Sequence, residues 1–183
     1  MIIAIANQSG SSGKTCVANK LAALRARSGR KVLLLDTDPQ PSSGRRFQAE
    51  LENLGPHYKD IVIDTELRDT PQSRAALIAA TLAIVPLQAD RLDMSTPLIA
   101  RLNSARMFNP GLRILFVIVG AEPSEQERAA VRACVARVMS ATLAGTVIHA
   151  QGAPAGAIGR GVNECRDAHA LDEMNALYRE VFA

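Results

Sequence analysis

At 183 residues, with 48% apolar and 21% charged side chains, the chain can bury a sizeable core and is not composed like a disordered protein. No apolar run approaches ~20 residues, which excludes a transmembrane helix. The three cysteines (Cys16, Cys134, Cys165) have no paired spacing, which points to reduced thiols in a cytoplasm and away from a disulfide framework or a cysteine metal site.

The first element is the apolar run Ile2–Ala6, read as a strand. The N-terminus enters it directly, so no cleaved leader is expected. It feeds Asn7-Gln8-Ser9-Gly10-Ser11-Ser12-Gly13-Lys14-Thr15-Cys16, a loop of small residues ending in Gly-Lys-Thr. A helix follows from Lys14 to Ser28, with Val17, Leu21 and Leu24 on one face and Gly29 as its stop. Strand, small-residue loop and helix in that order make a phosphate-binding loop. Its backbone N–H groups cradle oxyanions, its lysine neutralises terminal phosphates, and its threonine hydroxyl ligates magnesium. Gly10, Ser11, Ser12, Gly13, Lys14, Thr15 and Cys16 are therefore the candidate cofactor-binding residues.

The second strand, Val32–Leu35, ends in Asp36-Thr37-Asp38-Pro39-Gln40. Alternation aims Asp36 and Asp38 the same way, where carboxylates hold magnesium-bound waters or orient an attacking water. Alone, such a pair reads as a turn or helix cap; after a phosphate loop it reads as part of the site. A small helix is expected around Arg45–Leu51. The third strand, Ile61–Ile63, ends in Asp64-Thr65 and supplies another carboxylate. Thr15, Asp38 and Asp64 are the candidate metal-associated residues, and Lys14 and Asp38 the candidate catalytic pair.

Farther along come a helix from Pro71 to Ala80, a strand Leu82–Val85, and a helix from Ser95 to Phe108 carrying Leu98, Leu102 and Ala105. A strand Ile114–Val119 precedes the capping box Ser124-Glu125-Gln126-Glu127, which opens a helix running to about Met139. Thr146–Ile148 is a weak last strand, and Gly152–Gly156 is a loop. Leu171, Met174, Leu177, Tyr178, Val181 and Phe182 form a C-terminal helical stripe, read as core packing. Continuous apolar strands alternating with helices predict an α/β fold. Its sheet is mostly parallel, with helices on both faces and ligands at the strands' carboxyl ends. No domain boundary or repeat interrupts residues 1–183, so one nucleotide-binding domain is expected.

Arginine outnumbers lysine 17 to 4, within a net charge of only +3. Arg101, Arg106, Arg113, Arg128, Arg132 and Arg137 form either a basic face for nucleic acid or a solvated surface shared with Glu122, Glu125 and Glu127. His57, His149 and His169 are scattered and receive no role.

Taken together, these motifs resemble the ParA/MinD family of P-loop ATPases, whose deviant Walker A loop places its glycine where Gly10 stands. Asp-Thr-Asp-Pro-Gln at 36–40, Val-Ile-Asp-Thr at 62–65 and Ile84-Val85-Pro86 fall in family order, and Ala157–Glu164 resembles a late family stretch. In length the chain is similar to compact plasmid-partition members such as ParF. The resemblance implies a P-loop NTPase fold, ATP/ADP and Mg2+ as cofactors, and a cytoplasmic protein. It gives Lys14 the β- and γ-phosphates, Thr15 the magnesium, and Asp38 the positioning of water. Asp64 would hold a magnesium-bound water, and Asp36 would support the first switch. It also implies a nucleotide-dependent homodimer for plasmid or chromosome partition, non-specific DNA binding, and a small DNA-binding partner protein that stimulates turnover. MinD-type members carry a basic membrane tail; here Asp172, Glu173 and Glu180 outnumber Arg179, so no membrane anchor is expected. Two other readings are a nucleotide-gated positioning scaffold without significant hydrolysis, and a small-molecule kinase or ligase of the dethiobiotin synthetase type.

The chain departs from the family pattern at informative places. The signature lysine, which reaches the other subunit's nucleotide, is Ser9 here. Ser11 replaces a glycine, Cys16 a hydroxyl residue, and Glu66-Leu67 a Pro-Pro. Either Arg68 or Arg91 replaces the missing cation in a working ATPase, or nucleotide is bound and hydrolysed slowly.

Overall fold

The computed structural model describes residues 1–7, 13–37, 44–66, 68–89, 96–149 and 168–182. Six strands share one sheet: β1 (Ile2–Ile5), β2 (Val32–Asp36), β3 (Asp60–Asp64), β4 (Leu82–Leu87), β5 (Arg113–Val119) and β6 (Ala141–Ile148). They alternate with helices α1 (Lys14–Arg27), α2 (Gly44–Leu54), α3 (Pro71–Ala79), α4 (Thr96–Phe108), α5 (Glu125–Val135) and α6 (Ala168–Phe182). A 3-10 turn, Gly55–His57, follows α2. The order across the sheet is β2-β3-β1-β4-β5-β6, and the pairings are parallel. The expected α/β architecture is the one observed.

Burial on both faces explains the unbroken apolar strands. In β1, Ile3 and Ile5 pack with Val17, Leu21, Met174 and Leu177 of α1 and α6. Ala4 and Ala6 face the opposite layer with Leu77, Leu98, Leu102 and Phe116. The C-terminal stripe is core, as expected: Met174, Leu177 and Val181 are buried. β1 lies beside β4, and their outgoing connections run to opposite sides of the sheet. The carboxyl ends beside such a reversal are where open α/β sheets bind ligands.

Two boundaries differ most from the sequence expectation. The weak run Thr146–Ile148 is the end of a longer strand, because β6 starts at Ala141. A register shift interrupts its pairing with β5 between Phe116 and Ile118. The amides of Gly145 and Thr146 there donate to the Glu180 carboxylate of α6 at 3.0 and 2.9 Å. Such a bulge breaks the period that makes a strand legible. α5 stops at Val135, short of Met139. The Arg137 amide donates to the Cys134 carbonyl (3.1 Å), and Ser140 takes a left-handed φ of 55° to turn into β6. The box that opens α5 is present: Ser124 Oγ accepts from the Glu127 amide, and Glu127 accepts from the Ser124 amide. Ser124→Ala is expected to cost about 1 kcal/mol, read from urea denaturation.

At the amino ends of the strands, the Asp60 carboxylate is fully enclosed. Arg25 Nε and Arg30 Nε donate to its Oδ2 at 2.8 and 3.1 Å, and the Met1 ammonium lies 3.4 Å from Oδ1. Burial alone would raise this carboxyl's pKa. The hydrogen bonds from Arg25 and Arg30 and the neighbouring positive charges win, and hold it below the usual carboxylate value.

Candidate functional site

The site is built on four strand ends locked side by side. The Ala6 amide donates to the Ile84 carbonyl at 2.9 Å, joining β1 to β4. Thr65 follows β3, and both its amide (3.1 Å) and its hydroxyl (2.8 Å) donate to the Ile5 carbonyl of β1. Thr37 follows β2 and repeats the device on the Asp64 carbonyl, at 3.1 and 3.4 Å. The Glu66 amide then donates to the Thr37 hydroxyl at 2.8 Å. Each strand that ends in Asp-Thr thus uses the threonine to fasten the aspartate in register with the next strand inward. The repeated Asp-Thr pair was the signal that would have marked these threonines; sequence reasoning used only the aspartates.

This register sets Asp36 opposite Asp64, and Asp64 opposite Ile5. Asp64 is buried and Asp36 exposed, so the inner carboxylate sits beside the strand that leads into the loop. Asn7, just past β1, is buried, and its side-chain amide donates to the Pro86 carbonyl of β4. Where the chain is next described, Gly13 adopts φ 71°, ψ 14° as the N-cap of α1. Only glycine takes that conformation without strain, and a Cβ there would lie 3.2 Å from Val119 Cγ1. The loop's last residue is therefore pressed against the end of β5.

Lys14 begins α1 and is buried; Thr15 and Cys16 occupy the same turn and are exposed. Glycine offers no side chain to cap the helix, and the first turn carries no acidic residue. The helix geometry aims the first-turn N–H groups outward from its positive end, an arrangement that receives an anion. Buried lysine, outward amides and the Asp64 carboxylate at one sheet edge form a donor set suited to a phosphate and a hard cation. Gly10, Ser11, Ser12 and Asp38 lie outside the described residues, as do Ser9, Arg91 and Ala157–Glu164.

The arginine group does not form one surface. Arg101 of α4 is buried, which removes it from any basic face. Its Nη1 donates to the Arg68 carbonyl at 3.2 Å, while Nε and Nη2 meet no acceptor among the described residues. Burial lowers its pKa, with the Asp69 charge opposing that effect. Arg101 lines a cleft of about 330 Å³ between α3 and α4, together with Asp69, Arg74 and Phe108. Arg106 is turned onto the Pro110 and Leu112 carbonyls, and Arg128 pairs with Glu122. Arg113, Arg132 and Arg137 are exposed.

Comparison with known proteins agrees with this arrangement. Residues 3–172 match the family profile described as the CobQ/CobB/MinD/ParA nucleotide binding domain. The chain is similar to the chromosome-partitioning ATPase Soj of Thermus thermophilus, at 34% identity over 64% of this chain and 68% of that protein. It is also similar to the maintenance of carboxysome distribution protein A of Halothiobacillus neapolitanus, at 27% identity over 98% of this chain and 95% of that one. Other curated relatives are longer, and the chain spans 25% and 44% of two of them. Among solved structures, it shares its fold with the septum site-determining protein MinD of Pyrococcus horikoshii complexed with Mg-ADP. The TM-score is 0.67 at 18% identity, over 99% and 95% of the two chains.

Proposed function

Because the chain belongs to the CobQ/CobB/MinD/ParA nucleotide-binding domain family, we propose that it is a ParA-type ATP switch. In this reading residues 1–183 act as one nucleotide-binding domain, and nucleotide closes two copies into a homodimer that positions a cargo. The observation that carries it is the convergence of Gly13, buried Lys14 and buried Asp64 at one sheet edge, locked by Thr37 and Thr65.

The residues fit magnesium and ATP/ADP. Lys14 would hold the terminal phosphates, assisted by the amides of residues 10–16, and Thr15 with Asp64 would serve the metal and its waters. Asp38 would position the attacking water. Bound magnesium supplies charge neutralisation across the phosphates. Thr37 and Thr65 hold the carboxylate-bearing strand ends still, so Asp64 need not be ordered when nucleotide arrives. Support for the cofactor comes from the MinD relative, which was crystallised with Mg-ADP.

Isothermal titration with Mg-ATP is expected to show one site per chain, with Lys14→Ala weakening it by about 100-fold or more. Size-exclusion chromatography is expected to show a dimer with ATP and not with ADP. No heat from the natural chain would sink the reading; binding without dimerisation would favour a metabolic kinase.

DNA is the cargo surface favoured by the likeness to Soj. A second reading is a positioning scaffold for another cargo. The end-to-end match to a protein named for carboxysome distribution favours it. Filter binding to random duplex DNA at two salt concentrations separates the two. A nucleic-acid surface requires retention that falls steeply with salt, and Arg113, Arg132 and Arg137 are the residues to neutralise.

A further inference from the structure

Two of the histidines that are far apart in the chain come together. His149 follows β6 directly, and His169 lies in the first turn of α6. Both Nδ1 atoms face one oxygen of Glu173, four residues beyond His169 on α6. His149 Nδ1 lies 2.6 Å and His169 Nδ1 2.8 Å from Glu173 Oε1. The three ligand atoms all lie within 4.8 Å of one another.

We propose that His149, His169 and Glu173 form a site for a borderline divalent cation, zinc above all. Two imidazole nitrogens and one carboxylate oxygen are a donor set zinc takes, and one that magnesium and calcium do not prefer. Tetrahedral coordination at ~2.0–2.1 Å sets ligand atoms about 3.3 Å apart, so the two short contacts need to open by less than about 1 Å.

The surroundings carry the case beyond three nearby side chains. The His149 amide donates to Glu173 Oε2 at 2.9 Å, which fixes the carboxylate and leaves Oε1 for the ion. On the far side of the His149 ring, Nε2 lies 3.5 Å from Glu122 Oε2. Metal-bound histidines keep their other ring N–H on a carboxylate in this way, and the ion would take the place of the proton that Nδ1 presents to Glu173 Oε1. Glu122 is itself held by Arg128. Glu173 is buried while His169 is mostly exposed, so among the described residues three ligands come from the protein and the site reaches the surface.

The ion would join the end of β6 to the start of α6. The place matters because Ile148 pairs with Val119, and Val119 is the residue against which Gly13 is pressed. The site therefore stands on the same sheet edge as the start of α1, with the ends of β4 and β5 between them.

The test is titration of the metal-free, tag-free chain of residues 1–183 with zinc chloride in excess magnesium, without nucleotide. One zinc per chain is expected. His169→Ala and Glu173→Gln are expected to weaken it by about 100-fold, and Glu122→Gln by about 10-fold. Cobalt is expected to give a visible d–d spectrum without a thiolate charge-transfer band, and Cys134→Ser/Cys165→Ser to leave it unchanged. His169 and Glu122 are exposed, so these two variants keep the test decisive even if Glu173→Gln fails to fold. Absence of stoichiometric binding, unaltered affinity in His169→Ala, or loss of binding in the cysteine variant would each overturn the proposal.

Discussion

Asp60→Asn is expected to cost about 3 kcal/mol at pH 7 and to lower the melting temperature by roughly 6–12 °C. Removing one partner from a buried ion pair leaves charge without compensation, which typically costs about 3–5 kcal/mol. The lower end applies because Arg30 is half in solvent and can rehydrate. Arg25 cannot do so as easily. Its Nη1 donates to the Tyr178 hydroxyl at 3.1 Å, and its guanidinium lies 4.2 Å over the Phe182 ring. Asp60 thus anchors α1 and α6 to the start of β3, and an asparagine would meet the two guanidinium groups with an uncharged oxygen and turn its NH2 group toward the Met1 ammonium. The sign of the pH dependence follows from the depressed pKa. A carboxyl whose folded value lies below its unfolded value of ~3.9 contributes stability above that value and loses it as pH falls through the folded one. Urea denaturation of both proteins is expected to give a constant gap above about pH 5 that closes in more acid solution. A gap under about 1 kcal/mol at pH 7, or one unchanged at pH 3, would show that the cluster is not what holds this end together.

Strands buried on both faces announce themselves, and this is why β1, β3 and β4 were legible: helices cover both sides of each. β2 is an edge strand that leaves Leu34 exposed, and it was legible because its run is apolar all the same. β6 lies at the sheet edge and carries a bulge, so only its last residues kept a readable pattern. The positions of Lys14 and Asp64 were legible for another reason: Gly-Lys-Thr stands one short loop after an apolar run and Asp-Thr directly at the end of another, and that spacing survives in the sequence. The clusters at Asp60 and at Glu173 have no such spacing. Asp60 draws its partners from α1 and the chain start, and Glu173 from β6, α6 and the loop before α5. Only the fold brings these together. Arg101 shows the converse error. Arginine at helical spacing reads as surface, yet α4 turns this one inward, where the Arg68 carbonyl takes one of its N–H groups.

Ser9→Lys is expected to raise Mg-ATP turnover by about 30-fold or more, the effect of at least ~2 kcal/mol of added transition-state stabilisation. A transferring γ-phosphoryl group develops negative charge on its outer oxygens, and a cation held against it in a dimer closed to water acts at low dielectric. Serine has neither the charge nor the reach, whereas Lys14 stands on its own subunit's phosphates in the proposed complex. A lysine at position 9 that stabilised ground and transition states equally would lower KM alone; one aimed at the developing charge raises kcat. Phosphate release at saturating ATP separates the two, with Ser9→Gln as the neutral control of similar length and Ser9→Lys/Lys14→Ala as the background. The same measurement decides between the two readings of this departure from the family. If the natural chain already turns over quickly and Ser9→Lys adds nothing, another cation does the work, and Arg68→Ala or Arg91→Ala should abolish turnover. If the natural chain is slow and lysine restores it, then nucleotide binding and hydrolysis have been uncoupled at this one position. The protein's ATP-bound dimer would then be long-lived, suited to holding a cargo in place and slow to release it.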